Sequence, residues 1–154
     1  MPLSVVTSEA VNFLISTLII LGFILAYGLG ITKFVILYPV ILLIQYILCL
    51  GLSLIVSSVT VFFRDLQHFI GVILQLLFYA TPIVYSIQTI PEQYRWILKI
   101  NPMTYIIEGY RDIFYNQCMP DMKMLGIVLA IGIATCIIGY IIFNKLQKKF
   151  AEEL

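Results

Sequence analysis

The chain has 154 residues, 62% of them hydrophobic and 11% charged, with a formal net charge of +1 and a mean hydropathy of +1.05. A soluble domain averages roughly 45–50% apolar and about 25% charged residues, so a chain this short has more apolar surface than one core can hide, and lipid is its natural solvent. The near-neutral balance points to neither nucleic acid nor an acidic substrate, and three cysteines without CxxC spacing argue against a disulfide framework or a zinc site.

Charges fall in clusters, and the gaps between them mark the spans. A bilayer core of roughly 30 Å takes about 20 helical residues, and backbone in hydrocarbon must satisfy itself, which makes helices the default. Four membrane-spanning helices are predicted, at about 10–32, 39–63, 68–88 and 124–144. The N-terminus lacks the basic region of a secretory signal, so the first run reads as a retained span. Pro39 sits in the first turn of the second span, where its missing N–H does no harm. Arg64 and Asp65 would each cost roughly 2.5–3.5 kcal/mol at mid-membrane, so the chain surfaces between the second and third spans. Pro82 removes the hydrogen bond to the Phe78 carbonyl and predicts a helix kink in the third span.

Residues 89–123 read as an external helical hairpin, re-entrant or interfacial. Thr89, Pro91 and Glu92 fit a capping box, with Thr89 as N-cap and Glu92 at the third helical position. A short helix then runs to about Ile100. Asn101 and Pro102 mark a new start, as N-cap and first helical residue. The second helix carries Met103, Ile106, Ile107, Tyr110 and Phe114 on one face, with Glu108, Arg111, Asp112 and Tyr115 towards the other. Glu108 and Arg111, spaced i, i+3, read as a surface ion pair worth a few tenths of a kcal/mol. At roughly 16–21 Å each, these helices are too short to cross. The tail 145–154 opens with Lys145, Lys148 and Lys149, which favours a cytoplasmic C-terminus. Gly126, Ala130 and Ala134, and likewise Ser53 and Ser57, form small-residue stripes that permit close helix approach. The fold class is an all-α integral membrane protein, one membrane domain over 1–154, with about four transmembrane helices and the hairpin between the last two.

No GxxxxGK[ST] loop is present, so nucleotide hydrolysis by this chain is not expected. HExxH, GxSxG and metal-spaced His/Cys clusters are absent as well, so neither a catalytic nor a metal site is assigned. His68 beside the charged turn reads as an ordinary interfacial residue.

The strings Tyr79-Ala-Thr-Pro-Ile-Val-Tyr85, Ile90-Pro-Glu, Trp96-Ile-Leu-Lys-Ile-Asn-Pro102 and Tyr105-Ile-Ile-Glu-Gly-Tyr-Arg-Asp112 resemble, in this order, the permease subunits of ABC-type cell-surface polysaccharide exporters of the type-2 permease superfamily. Phe62-Phe-Arg-Asp-Leu66 fits the same pattern, and the Glu-Gly-Tyr-Arg form leans towards the teichoic-acid branch over capsule or O-antigen. The resemblance implies a multi-pass protein of the bacterial cytoplasmic membrane. It implies a permease homodimer paired with separate ABC ATPase subunits that use the ATP, so that this chain binds no cofactor of its own. The cargo it implies is a lipid-linked glycan moving between the permeases, with membrane lipid around them and no nucleic acid. It places Arg64 and Asp65 near the ATPase and the hairpin at the channel exit. The family's permeases have about six spans, and the resemblance covers the C-terminal four.

Tyr79, Tyr85, Tyr94, Trp96, Tyr105 and Tyr110 gather where the hairpin meets the spans. They form either a stacking surface for sugar rings along the substrate path or an ordinary interfacial aromatic belt. Alternatives to polysaccharide export are a drug or lipid exporter of the same superfamily, an intramembrane enzyme using Glu108 and Asp112, and a non-transporting accessory membrane protein.

Overall fold

The computed structural model describes residues 2–28, 33–62, 65–83, 85 and 87–152. Within them lie six α-helices: α1 (Pro2–Ala26), α2 (Tyr38–Phe62), α3 (Leu66–Ala80), α4 (Arg95–Ile100), α5 (Pro102–Arg111) and α6 (Met122–Glu152). Short 3-10 turns stand at Lys33–Leu37, Ile87–Thr89 and Glu92–Tyr94, and one π-helical turn at Asp112–Asn116 follows α5. No strand occurs among the described residues. Among the described residues, three helices are long and apolar enough to cross a membrane: Pro2–Ala26, Lys33–Thr60 and Met122–Lys145.

α1 starts at Pro2, well before the predicted residue 10, and Glu9 lies inside it. Proline suits the first helical position, and a carboxylate two turns from a helix end interrupts no backbone bond. α1 closes on Gly28, whose φ of +70° only glycine adopts without strain, with its N–H bonded to the Leu25 carbonyl.

α2 and α6 form the spine. Of Cβ atoms built on three glycines of this seam, two would collide with the facing helix and the third would be tightly pressed. At Gly51 one would stand 2.6 Å from the Cys136 nitrogen, at Gly132 3.2 Å from the Leu48 nitrogen, and at Gly139 2.8 Å from the Leu54 Cβ. The paired numbers rise together, so the two helices run parallel, and Phe62 and Lys145 lie at the same end. The predicted Gly126, Ala130 and Ala134 stripe is turned away: all three are exposed, and a Cβ on Gly126 would meet nothing within 4 Å. α1 runs antiparallel to α2, as the Tyr38–Thr17 and Tyr46–Thr7 hydroxyl pairs show.

Ile41, Ile44 and Leu48 of α2, Ile106 of α5, Ile113 of the π turn, and Leu125 and Val128 of α6 make the buried core. The second hairpin helix is therefore packed between the opening turns of two spanning helices. Gly109 allows that approach, since a Cβ there would stand 3.2 Å from the Ile41 Cδ1.

The third span departs most from its expected form. α3 has 15 residues and stops at Ala80, so Pro82 ends the helix, and among the described residues up to 88 the α-helix does not resume. A residue before proline is driven into extended backbone, and Thr81 has φ −100° and ψ 133°. α3 covers roughly 22 Å. At its end the chain turns tightly, with the Ile83 N–H bonded to the Thr81 carbonyl at 2.7 Å, and Thr81 stands at the level of Asn101 at the start of α5.

Candidate functional site at the junction of α3 and the helical hairpin

Non-helical backbone at membrane depth is tolerated only where protein buries it. Thr81 and Pro82 are both buried. The Thr81 N–H donates to the Phe78 carbonyl at the break, and α5 holds the backbone that follows. Arg111 Nη2 donates to the carbonyls of Pro82 (2.9 Å) and Tyr85 (3.1 Å). Asn101 Oδ1 accepts from the Met103 N–H at 3.0 Å and so caps α5, with Pro102 in the first turn. The other half of the same carboxamide, Nδ2, donates to Thr81 Oγ1 at 2.8 Å. Thr81 Oγ1 in turn donates to the Leu77 carbonyl at 2.6 Å. One end of α3 is thus fastened to both ends of α5.

The Glu108–Arg111 pair is more than the surface pair expected. Arg111 Nη1 and Glu108 Oε1 stand 3.6 Å apart, with side chains 23% and 37% exposed. Burial pushes the Glu108 carboxyl above its ordinary range; Arg111 opposes this and Asp112 adds to it. Asp112 Oδ1 accepts from Asn116 Nδ2 at 2.8 Å, so each carboxylate already has a protein partner.

The predicted capping box does not form. Thr89 belongs to a 3-10 turn and Pro91 is the residue that precedes the next one, with no side-chain cap bond. Glu92 pairs with Arg95 at 3.5 Å, and Arg95 Nε donates to the Ile90 carbonyl at 3.0 Å. Proline at position 91 fixes the backbone ahead of Glu92, and the first hairpin helix shrinks to Arg95–Ile100.

The six predicted aromatics separate into two groups. Tyr79, Tyr94 and Trp96 are exposed. The other three spend their hydroxyls on the protein: Tyr85 on the Tyr79 carbonyl (2.7 Å), Tyr105 on the Lys99 carbonyl (3.0 Å) and Tyr110 on Gln45 Oε1 (2.8 Å). The Tyr110 ring also packs against Phe13 of α1 (5.5 Å) and Tyr38 of α2 (5.7 Å), and burial raises its phenol well above the usual tyrosine range. Phe13, Tyr38, Gln45 and Thr81 belong to this junction and were not predicted. The available signal was a polar side chain inside an apolar run, which is functional by default in a membrane. At the other end of α3, Asp65 is exposed at the N-cap position without a side-chain cap bond, and Arg64 lies outside the described residues.

Comparison with known proteins places these elements. Residues 3–115 match the family described as ABC-2 type transporter, from α1 to the π turn after α5. Two O-antigen export system permease proteins RfbA of Klebsiella pneumoniae are 38% and 36% identical to the chain, each over 99% of it and 59% of their own length. An O-antigen export system permease protein RfbA of Myxococcus xanthus is 35% identical over 100% of the chain and 60% of its own length. The chain therefore spans about three fifths of these relatives. Its match over most of its length, on an all-helical multi-pass frame, makes it a member of the ABC-2 type transporter family.

Proposed function

We propose that this chain is membrane-spanning sequence of an exporter permease that moves a lipid-linked polysaccharide across the cytoplasmic membrane. The observation that carries this reading is likeness along essentially the whole chain, at 35–38% identity, to permeases named for O-antigen export. Among glycans, those names favour an O-antigen type of polysaccharide over the teichoic acid suggested by Glu-Gly-Tyr-Arg at 108–111. Energy comes from ATP hydrolysed by a separate ABC ATPase subunit, and two permeases pair around the path. Exposed Asp65, with Arg64 beside it, is offered for the ATPase contact. Tyr79, Tyr94 and Trp96, whose rings are open, supply the stacking surface for sugars, while Tyr85, Tyr105 and Tyr110 hold the hairpin in place.

Inactivating the gene in its host tests the proposal. Loss of surface polysaccharide, restored by the gene in trans, is the expected result. Unchanged surface polysaccharide, with a changed resistance to drugs or a changed lipid composition, would move the cargo to another class.

A further inference from the structure

α1 is two helices in composition. From Pro2 to Thr17 it carries seven polar side chains, and from Leu18 to Ala26 it carries none. Glu9, Asn12 and Ser16 follow one another at i, i+3 and i+7, so they share a face. That face lines a half-open groove of about 530 Å³ against the first half of α2, where Gln45 and Tyr46 complete the polar lining. The volume lies inside the roughly 300–1,000 Å³ of ordinary ligand sites. Polar side chains on a spanning helix mark a substrate path or a polar partner, because lipid satisfies none of their hydrogen bonds.

The donors and acceptors here are only partly spent. Ser16 Oγ donates to the Asn12 carbonyl at 2.9 Å, which leaves its oxygen free to accept. Gln45 Oε1 is taken by Tyr110, which leaves the amide with its N–H donors. Tyr46 donates its hydroxyl to Thr7 Oγ1 at 3.1 Å, because the Thr7 proton goes to the Leu3 carbonyl. The Glu9 carboxylate and the Asn12 carboxamide have no hydrogen-bond or ion-pair partner among the described residues. The lining therefore offers a strong acceptor, an amide that both gives and takes, spare N–H donors and hydroxyls, between apolar walls that include the Phe13 ring.

We infer that this α1–α2 groove is a binding subsite for the hydroxyl-rich sugar part of the cargo. A sugar hydroxyl donates and accepts at once, and carboxylate, carboxamide and hydroxyl side chains at helical spacing answer both needs. No basic side chain lines the groove among the described residues, and Glu9 repels anions, so a lipid phosphate is the wrong ligand. The site lies directly beneath the hairpin, because Gln45 bonds to Tyr110 and Phe13 packs on it.

This inference rests on the polysaccharide-export reading. The test uses the gene in its host, with export measured as the rate at which new polysaccharide reaches the surface. Asn12→Leu lowers that rate at least fivefold while the membrane level of the protein stays normal, and Asn12→Gln, which keeps the carboxamide, restores it. In a background without native cysteines, Asn12→Cys reacts with a charged, membrane-impermeant thiosulfonate, and Ile19→Cys on the apolar half of α1 does not. Normal export in Asn12→Leu, or an inert Asn12→Cys, overturns the subsite; the second result makes the groove a seat for lipid or another helix. If inactivating the gene itself leaves surface polysaccharide unchanged, the export reading fails and the subsite fails with it.

Discussion

Asn101 Nδ2 donates to Thr81 Oγ1 across 2.8 Å, so the side chain that caps α5 also holds the broken end of α3. Two functions in one carboxamide separate by mutation. Asn101→Ala loses a cap worth about 1 kcal/mol and a further hydrogen bond of about 1 kcal/mol. Asn101→Asp keeps the cap and loses only the bond to Thr81. Thermal unfolding in detergent should rank wild type above Asn101→Asp and Asn101→Asp above Asn101→Ala. Asn101→Asp melting with wild type would mean that the Thr81 bond contributes nothing, and equal losses in the two variants would mean that the cap contributes nothing.

Arg111 answers two carbonyls with one nitrogen, at 2.9 and 3.1 Å. Arg111→Met leaves both without that donor, at about 1–3 kcal/mol for each one left unsatisfied. Arg111→Lys restores the charge without the planar fork and recovers only part of the loss. Limited proteolysis reads this locally. Cleavage between residues 83 and 90 should accelerate in Arg111→Met, less in Arg111→Lys, with the α2–α6 spine intact. Unaltered cleavage in both would remove Arg111 from the junction.

The α2–α6 seam makes an opposite pair of predictions for glycine. A Cβ on Gly51 would lie 2.5 Å from Thr135 Oγ1 and 2.6 Å from the backbone nitrogen of Cys136. Because backbone cannot swing aside, Gly51→Ala should destabilise by about 1–3 kcal/mol. Gly126→Ala meets nothing and should be neutral or stabilising by up to about 1 kcal/mol through helix propensity. Comparing the two melting temperatures checks both.

Glu108 carries a pH signature. Burial, its largest influence, raises its folded pKa, with Arg111 opposing and Asp112 assisting. Below the usual carboxylate pKa of about 4.3 it is protonated in both states and adds no pH dependence. As pH rises from there through the raised folded pKa, the unfolded state ionises first and stability falls, then levels off. Melting temperature followed from pH 4 upward, with pH taken as the only variable, should show this decline in wild type and lose it in Glu108→Gln. A decline that survives in Glu108→Gln would assign it to another group.

What the sequence revealed and what it hid have physical causes. Asn101-Pro102 was legible because both residues act within one turn of themselves. Thr89 and Glu92 had the right spacing for a cap and still failed, because Pro91 between them stands at φ −52° and ψ 141°, outside the helical region. Pro82 was read as a kink because removal of one backbone bond is local. Whether the helix resumes depends on what holds the backbone beyond the break, and the Pro82 carbonyl is held by Arg111, 29 positions on. The seam glycines were missed because α2 and α6 are apolar nearly all round, so periodicity picks no face. Gly132 and Gly139 touch α2 and Gly126 touches nothing, although all three look alike in sequence. The polar face of α1 was passed over because Glu9 fell outside the predicted span, which left Asn12 and Ser16 as isolated polar residues in an apolar run.

The most direct measurement of the central claim is the side of the membrane on which the finished glycan resides when this gene is inactivated. In intact cells, full-length lipid-linked polysaccharide should accumulate and stay shielded from an impermeant reagent applied outside, and become accessible when the gene is restored. Complete absence of the polysaccharide would make the chain part of its synthesis and contradict a role in export.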